Sequence, residues 1–300
     1  KGQSAAVRAI YEDVKGPSRM NRLLQGDVGS GKTAVALTGI FMAVKSGHQA
    51  VYLSPTEVLA AQNELLLRKM FPEYRVGYLS GASTAQEKRA VKAALKAGEI
   101  DILCGTHAVL QGDVHFCDLA FCVCDEQHRF GVAQRNALSE KGVSPDVLVM
   151  SATPIPRTLS LIFYGDLDIT TIPDKPGGRQ EITTAIVPLR KYDDMLEYVR
   201  KSVKAGRQAY FVCAKIEDDE GQVTSVTELY EEHRARMPDV RFALLHGKMK
   251  DKDKTSVMTA FKRGEYDCLV STTVIEVGVD VPNATIMSIL NAERFGLSQL

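Results

Sequence analysis

The stretch that most constrains this chain is the octet Gly26-Asp27-Val28-Gly29-Ser30-Gly31-Lys32-Thr33. It follows Leu23-Leu24-Gln25 and opens a helix-like run over 33–45 that Gly47 stops. A G-x-x-x-x-G-K-[ST] string needs a strand before it and a helix after it. Its glycines turn successive backbone N–H groups inward as an anion nest at a helix N-terminus. Such a loop sits at the end of a buried strand, and the apolar runs that alternate with helical stretches around it predict a parallel sheet covered on both faces. A glycine-rich turn that binds nothing is the plain alternative, but it accounts for neither the Lys32-Thr33 pair nor the spacing.

The flanking pattern agrees. Apolar runs at 50–53, 75–79, 100–104, 119–124 and 147–150 alternate with helical stretches at about 57–70 and 84–98. The second helix opens on the capping-box pair Thr84-x-x-Glu87. Asp174-Lys175-Pro176-Gly177-Gly178-Arg179 then carries the strongest linker signal in the chain. Beyond it the alternation restarts, with strands expected at 183–187, 209–213, 241–245, 268–271 and 285–290. Helices are expected at about 193–204, 222–236 and 251–262. The expected fold is α/β, with two tandem lobes at 1–173 and 181–300 joined by a linker at 174–180. Each lobe is expected to hold a mainly parallel sheet covered by helices. No short-period repeat or low-complexity tract is visible.

The bulk numbers remove several classes. No apolar run approaches the roughly 20 residues that cross a bilayer, and Lys1-Gly2-Gln3-Ser4 lacks a secretory pattern. No membrane partner and a cytoplasmic location are therefore expected. The 37 basic and 37 acidic residues balance to zero net charge. Any nucleic-acid contact must then be local or run through backbone amides. Six cysteines include no C-x-x-C. A zinc set of His115, Cys117, Cys122 and Cys124 is disfavoured, because Cys122 and Cys124 fall inside an apolar run. Reduced core thiols are the better reading.

Ligands in open α/β sheets sit beyond the C-terminal strand ends. The second polar cluster lies there, where Asp125-Glu126-Gln127-His128 ends the run Leu119-Ala120-Phe121-Cys122-Val123-Cys124. Two adjacent carboxylates repel each other unless a cation joins them. Octet and cluster together supply the parts of nucleoside-triphosphate hydrolysis. Lys32 would reach the β- and γ-phosphates, Thr33 and Asp125 would hold Mg2+, and Glu126 would polarise a water. A solvated acidic turn fits poorly at the end of so apolar a strand. The Asn-Lys-x-Asp string of a guanine-nucleotide switch does not occur.

An Asp-Glu-x-His after such a loop resembles the superfamily-two helicases. Longer strings narrow the resemblance to RecG helicases. They are Asp125-Glu126-Gln127-His128-Arg129-Phe130-Gly131-Val132, Ser151-Ala152-Thr153-Pro154-Ile155-Pro156-Arg157-Thr158-Leu159, the run from Thr272 to Ala284, and Asn291-Ala292-Glu293-Arg294-Phe295-Gly296-Leu297-Ser298-Gln299-Leu300. The transcription-repair coupling factor has a sister motor. Its loop typically carries an aromatic where this chain has Ser30, and its Asp-Glu pair is usually followed by Glu where this chain has Gln127.

The resemblance implies two RecA-like lobes with a nucleotide cleft between them. It also implies an ATP-dependent DNA helicase or translocase, using ATP and Mg2+, that remodels stalled forks and Holliday junctions in repair and recombination. A double-stranded DNA translocase of the coupling type is the alternative. Gln3 resembles the adenine-reading glutamine, while Gly278 and Asp280 resemble the positions that approach the nucleotide from the second lobe. Ser151 and Thr153 resemble the segment coupling hydrolysis to movement, with His128 as a relay. Thr56, Thr106 and His107 in the first lobe, and His246, Thr272 and Thr273 in the second, resemble DNA-backbone contacts. Judged alone, Thr56 reads equally well as a helix N-cap. Lys248, Lys250, Lys252 and Lys254 alternate with Asp251 and Asp253, as in a solvated turn.

The family's next segment, which carries the arginines that reach the γ-phosphate, would begin just after Leu300. An arginine finger is worth roughly 10³–10⁵ in rate in related hydrolases. These 300 residues alone are therefore expected to bind ATP and hydrolyse it poorly. The intact protein is expected to add a wedge domain and further C-terminal regions.

Overall fold

The computed structural model describes residues 2–125, 141–142, 145–152, 167–174, 182–213, 226–272 and 281–295. The chain divides into two compact units, Lys1–Gln180 and Glu181–Leu300.

The first unit is built on a seven-stranded sheet of β1 (Asn21–Gly26), β2 (Gln49–Leu53), β3 (Val76–Leu79), β4 (Ile102–Gly105), β5 (Leu119–Cys124), β6 (Asp146–Ser151) and β7 (Asp168–Ile172). The strand order is β3-β4-β2-β5-β6-β1-β7, and every pairing is parallel. Its helices are α1 (Gly2–Lys15), α2 (Lys32–Lys45), α3 (Glu57–Met70) and α4 (Ala85–Lys96). Alternate strand residues feed two cores. On β2, Ala50 and Tyr52 face α2 with Ile40, Leu67 and Phe121. Val51 and Leu53 face the other way, with Leu79, Leu95 and Leu103. Both faces are buried, so these strands read as continuous apolar runs. Each fully buried Leu, Ile or Phe stabilises the unit by roughly 1.5–3 kcal/mol.

Cys104, Cys122 and Cys124 are buried core thiols, and their burial raises the pKa of Cys104 and Cys122. Among the described residues no His/Cys/Asp/Glu group fit to hold a metal occurs. No described helix is long and apolar enough to cross a membrane.

The second unit holds a four-stranded sheet of β8 (Gln208–Cys213), β9 (Phe242–Leu245), β10 (Cys268–Thr272) and β11 (Ala284–Leu290). The order is β11-β8-β10-β9, again all parallel. It is covered by α5 (Tyr192–Lys204), α6 (Val226–Arg236) and α7 (Asp251–Lys262). The strand expected at 183–187 lies in no sheet among the described residues, and Ile186 is 98% exposed. A run of β-branched residues becomes a strand only where its backbone finds a partner.

The two units share a frame that is hard to see in the sequence. The β3-α4-β4 segment recurs as β9-α7-β10, displaced by 166 positions (75 to 241, 101 to 267). Arg75 grips Asp101 through Nε and Nη2 (3.0 and 2.8 Å) and donates to the Gly98 carbonyl (2.9 Å). Arg241 repeats this on Asp267 (3.0 and 2.6 Å) and the Gly264 carbonyl (2.9 Å). The first four strands of the larger sheet, β3-β4-β2-β5, match β9-β10-β8-β11 in order. The register matches too, with Ala50 level with Ile102 and Ala209 level with Cys268.

Candidate active site and nucleic-acid face

The glycine-rich loop leaves β1 between β6 and β7 and enters α2 at Lys32. Gly29 and Gly31 have φ of 78° and 90°, left-handed backbone that favours glycine. Asp27 accepts from the Val28 N–H through Oδ1 (2.7 Å) and from the Ser30 N–H through its carbonyl (3.1 Å), which closes the turn. Lys32 Nζ donates to the carbonyls of Gly26 and Asp27 (2.8 and 3.0 Å), so its ammonium is held over the loop. Gly31 offers no side-chain cap to α2. The helix therefore presents first-turn N–H groups and the positive end of its dipole to the loop.

Gln3, on α1, donates from Nε2 to the Ser30 carbonyl (2.8 Å). A Cβ on Gly31 would strike its amide. The residue expected upstream of the loop thus sits against it. Ser30 Oγ is buried and has no hydrogen-bond partner among the described residues. An orphaned buried hydroxyl in a nest of N–H groups fits a phosphate oxygen.

Asp125 follows β5, which pairs β6 with Cys124 level with Val149, while β1 pairs the other side of β6 with Gln25 level with Ser151. Asp125, Ser151 and Gly26 therefore end neighbouring strands along one edge of the sheet. The β5 and β1 ends are separated by two strand spacings, about 10 Å. The Asp125 N–H donates to the Leu53 carbonyl (2.9 Å), which extends the β2–β5 ladder by one residue.

Tyr52, on β2, was not singled out in the sequence. Its hydroxyl donates to Asp125 Oδ2 (3.2 Å) and lies near the Thr33 hydroxyl. Burial first, and then the Asp125 charge, push the Tyr52 hydroxyl well above its ordinary value, so it stays protonated and donates. No apolar-run reading finds this contact, because it fixes the face a strand residue uses and not what the ring's polar tip reaches. A hydroxyl at the C-terminal end of a strand beside the one ending in Asp125 is the only signal available in advance.

The edge that carries the loop also carries the other first-unit residues of interest. Thr56 caps α3, accepting from the Leu59 N–H (3.4 Å). Thr106 ends β4 with its N–H on the Leu79 carbonyl (3.2 Å) and is 7% exposed, while His107 is exposed. Ser54, fully buried, accepts from Asn63 Nδ2 (2.9 Å). In the second unit His246 follows β9 and Thr272 ends β10. By the repeat they occupy the places of Ser80 and Thr106. Glu126, His128, Thr153, Thr273, Gly278 and Asp280 lie outside the described residues.

Residues 1–162 match the DEAD/DEAH box helicase family and residues 190–300 the helicase conserved C-terminal domain. The ATP-dependent DNA helicase RecG of Thermotoga maritima is 47% identical over 302 residues, covering 99% of this chain and 39% of that protein. RecG of Bacillus subtilis is 46% identical over 306 residues, covering 99% and 44%. This chain thus spans about two fifths of the length of the relatives it matches. A solved structure of RecG bound to a three-way DNA junction has a TM-score of 0.79 at 43% identity, covering 99% of this chain and 39% of that one. The helicase Mss116 bound to single-stranded RNA has a TM-score of 0.69 at 20% identity, covering 96% and 63%, a likeness of fold.

Proposed function

The chain belongs to the DEAD/DEAH box helicase family and resembles RecG helicases along its whole length, and we propose that it is the motor core of an ATP-dependent DNA helicase that remodels branched DNA. The observation that carries the reading is the meeting of two segments far apart in sequence. Asp125, which follows β5, accepts from the Tyr52 hydroxyl, and that hydroxyl lies near Thr33 at the start of α2, beside the glycine-rich loop.

Lys32 and the loop N–H groups would hold the ATP phosphates, with Gln3 on the adenine. Thr33 and Asp125 would hold Mg2+, which when bound screens phosphate charge and fixes the phosphates in line for attack. Glu126 would orient the attacking water. Ser151, Thr153 and His128 would pass the change at the γ-phosphate to the rest of the motor, with Gly278 and Asp280 as second-lobe contributors. The lobes would be 1–173 and 181–300, with 174–180 as the linker between them.

DNA would be held by its backbone. Thr56, Thr106 and His107 would grip from one lobe, and His246, Thr272 and Thr273 from the other. Hydroxyls and N–H groups hold phosphates without reading bases. That mode suits a chain with no net charge to offer. A cytoplasmic location follows from the same reading.

The test uses the full-length polypeptide. Lys32→Ala should abolish binding of a fluorescent ATP analogue. Glu126→Gln should bind it normally yet neither hydrolyse ATP nor unwind a model fork. Wild-type protein that displaces a stalled RNA polymerase but leaves forks intact would overturn the branched-DNA part. Nucleotide binding that survives Lys32→Ala would overturn the site.

A further inference from the structure

We propose that Tyr52 is a positioning residue of the cation site, its hydroxyl holding the Asp125 carboxylate in place near the Thr33 hydroxyl before a divalent cation joins them. The proposal rests on the reading that Thr33 and Asp125 bind Mg2+.

The ring and the hydroxyl of Tyr52 do separable things. The ring is 1% exposed and packs in the core beneath α2 with Val35, Ile40 and Phe121. A phenylalanine would fill that space and carry no polar atom. A buried hydroxyl costs free energy unless it is hydrogen-bonded, so its presence needs an explanation. Its hydrogen bond runs to Asp125, and Thr33 lies close by.

The repeat supplies an internal control. Tyr52 is level with Cys104 on β4, and Phe211 is level with Val270 on β10. Cys104 and Val270 are related by the same displacement of 166 positions. Phe211 therefore stands in the second unit where Tyr52 stands in the first. It packs as a ring against His233 and Phe242 (centroids 4.5 and 6.3 Å). The frame keeps the aromatic ring in both units. The hydroxyl occurs in the unit that carries the glycine-rich loop.

The physical consequence is orientation. Donation from Tyr52 to Oδ2 restrains the Asp125 carboxylate, while the Thr33 hydroxyl is anchored at the first turn of α2. Without that bond, the carboxylate must be oriented when a cation binds. Groups that orient metal ligands from behind change metal affinity by roughly 10–100-fold when removed. Because Tyr52 acts through Asp125, its removal should alter the Mg2+ requirement rather than the phosphate grip of Lys32.

The experiment titrates Mg2+ into the wild-type chain and Tyr52→Phe with a fluorescent non-hydrolysable ATP analogue present. The Mg2+ concentration for half-maximal tight binding should rise about tenfold in Tyr52→Phe. Affinity in EDTA and the melting temperature should stay at wild-type values. In the full-length enzyme the kcat deficit should recover as Mg2+ is raised. Tyr52→Met, which also removes the ring, should melt lower yet show the same Mg2+ shift as Tyr52→Phe.

A Mg2+ titration of either variant that superimposes on wild type overturns the proposal alone. So does a loss of affinity equal in Mg2+ and in EDTA. A wild-type chain without Mg2+-dependent nucleotide binding overturns the reading of the site, and this proposal with it.

Discussion

Replacing Gln49 with leucine should destabilise the first unit by about 3–5 kcal/mol, and the equivalent change at Gln208 should cost the second unit only about 1 kcal/mol. Both glutamines are buried, 5% and 4% exposed, at the start of matching strands. Gln49 Nε2 donates to the carbonyls of Leu95 and Ile100 (3.0 and 2.7 Å), and its Oε1 accepts from the Cys117 and Asp118 N–H groups (2.7 and 2.9 Å). The Leu95 carbonyl keeps a second donor in the Gly98 N–H. Removing the amide therefore strands Ile100, Cys117 and Asp118. Gln208 Nε2 donates to the carbonyls of Phe261 and Tyr266 (both 2.7 Å), and Phe261 keeps the Gly264 N–H. Only the Tyr266 carbonyl loses its partner.

A buried group left unpaired costs roughly 1–3 kcal/mol, and the partly buried N–H groups sit at the low end. The apolar gain from leucine is alike at both sites and cancels in the comparison. Urea unfolding followed by hydrogen exchange, read separately on peptides from 85–105 and 251–272, measures each unit on its own. Equal losses, or a larger loss for Gln208→Leu, would refute the accounting. The Gln49 variant should also weaken nucleotide binding, because Cys117 and Asp118 lead into the strand that ends at Asp125.

Two further outcomes are expected. His233 is fully buried, with Nδ1 at 2.6 Å from the Leu229 carbonyl and Nε2 at 3.0 Å from the Tyr192 hydroxyl, and burial lowers its pKa from the ordinary 6.5. The unfolded chain then binds the proton more readily, so the second unit should lose stability as pH falls below about 6.5 and regain it above; His233→Phe should flatten that slope between pH 7.5 and 5.5, and an unchanged slope would rule the histidine out as its source. Gly39 lies where a Cβ would overlap the Phe121 ring, so Gly39→Val should lift α2 from the sheet at a cost of about 1–3 kcal/mol. ATP-analogue affinity should fall with it, since Lys32 and Thr33 ride on that helix, and Phe121→Leu in the same chain should restore part of both losses.

Legibility in the sequence followed burial. The strands flanked by helices on both faces stood out as apolar runs, and the glycine-rich loop stood out because its backbone demands glycine at φ of 78° and 90°. By contrast, β7 (Asp-Ile-Thr-Thr-Ile) is an edge strand with one fully buried residue, Ile172, so it shows no continuous apolar run even though four of its five residues are β-branched. Helix α1 buries only Gly2, Ala6 and Ile10, too sparse a stripe to read with confidence against a polar background. The run at 183–187 is rich in β-branched residues yet lies in no sheet among the described residues. At the site, residue types announced Lys32, Thr33 and Asp125. The contacts made by Gln3 and Tyr52 depend on which elements lie side by side, and periodicity carries no such information.

The repeat explains why one sheet has seven strands and the other four. The order β3-β4-β2-β5 returns as β9-β10-β8-β11, so β6, β1 and β7 are the part of the larger sheet without a counterpart among the described residues. That unmatched part contains the strand leading into the glycine-rich loop. The matched part carries Thr106 at the end of β4 and Thr272 at the end of β10, each placed by the same arginine–aspartate clamp and the same helix. Duplicating a frame duplicates the spacing of the groups at its strand ends, because register and helix length are copied along with the residues. On the proposed reading each unit would offer a DNA phosphate an equivalent place, whereas nucleotide chemistry needs only one copy. The division predicts different sensitivities for Thr106→Ala and Thr272→Ala on one side and Lys32→Ala on the other. The two threonine variants should weaken DNA binding by similar factors and leave ATP-analogue affinity alone, since each would remove one proposed phosphate contact from an equivalent place. Lys32→Ala should do the reverse. A threonine pair with unlike effects on DNA binding would mean that the shared frame does not extend to a shared grip.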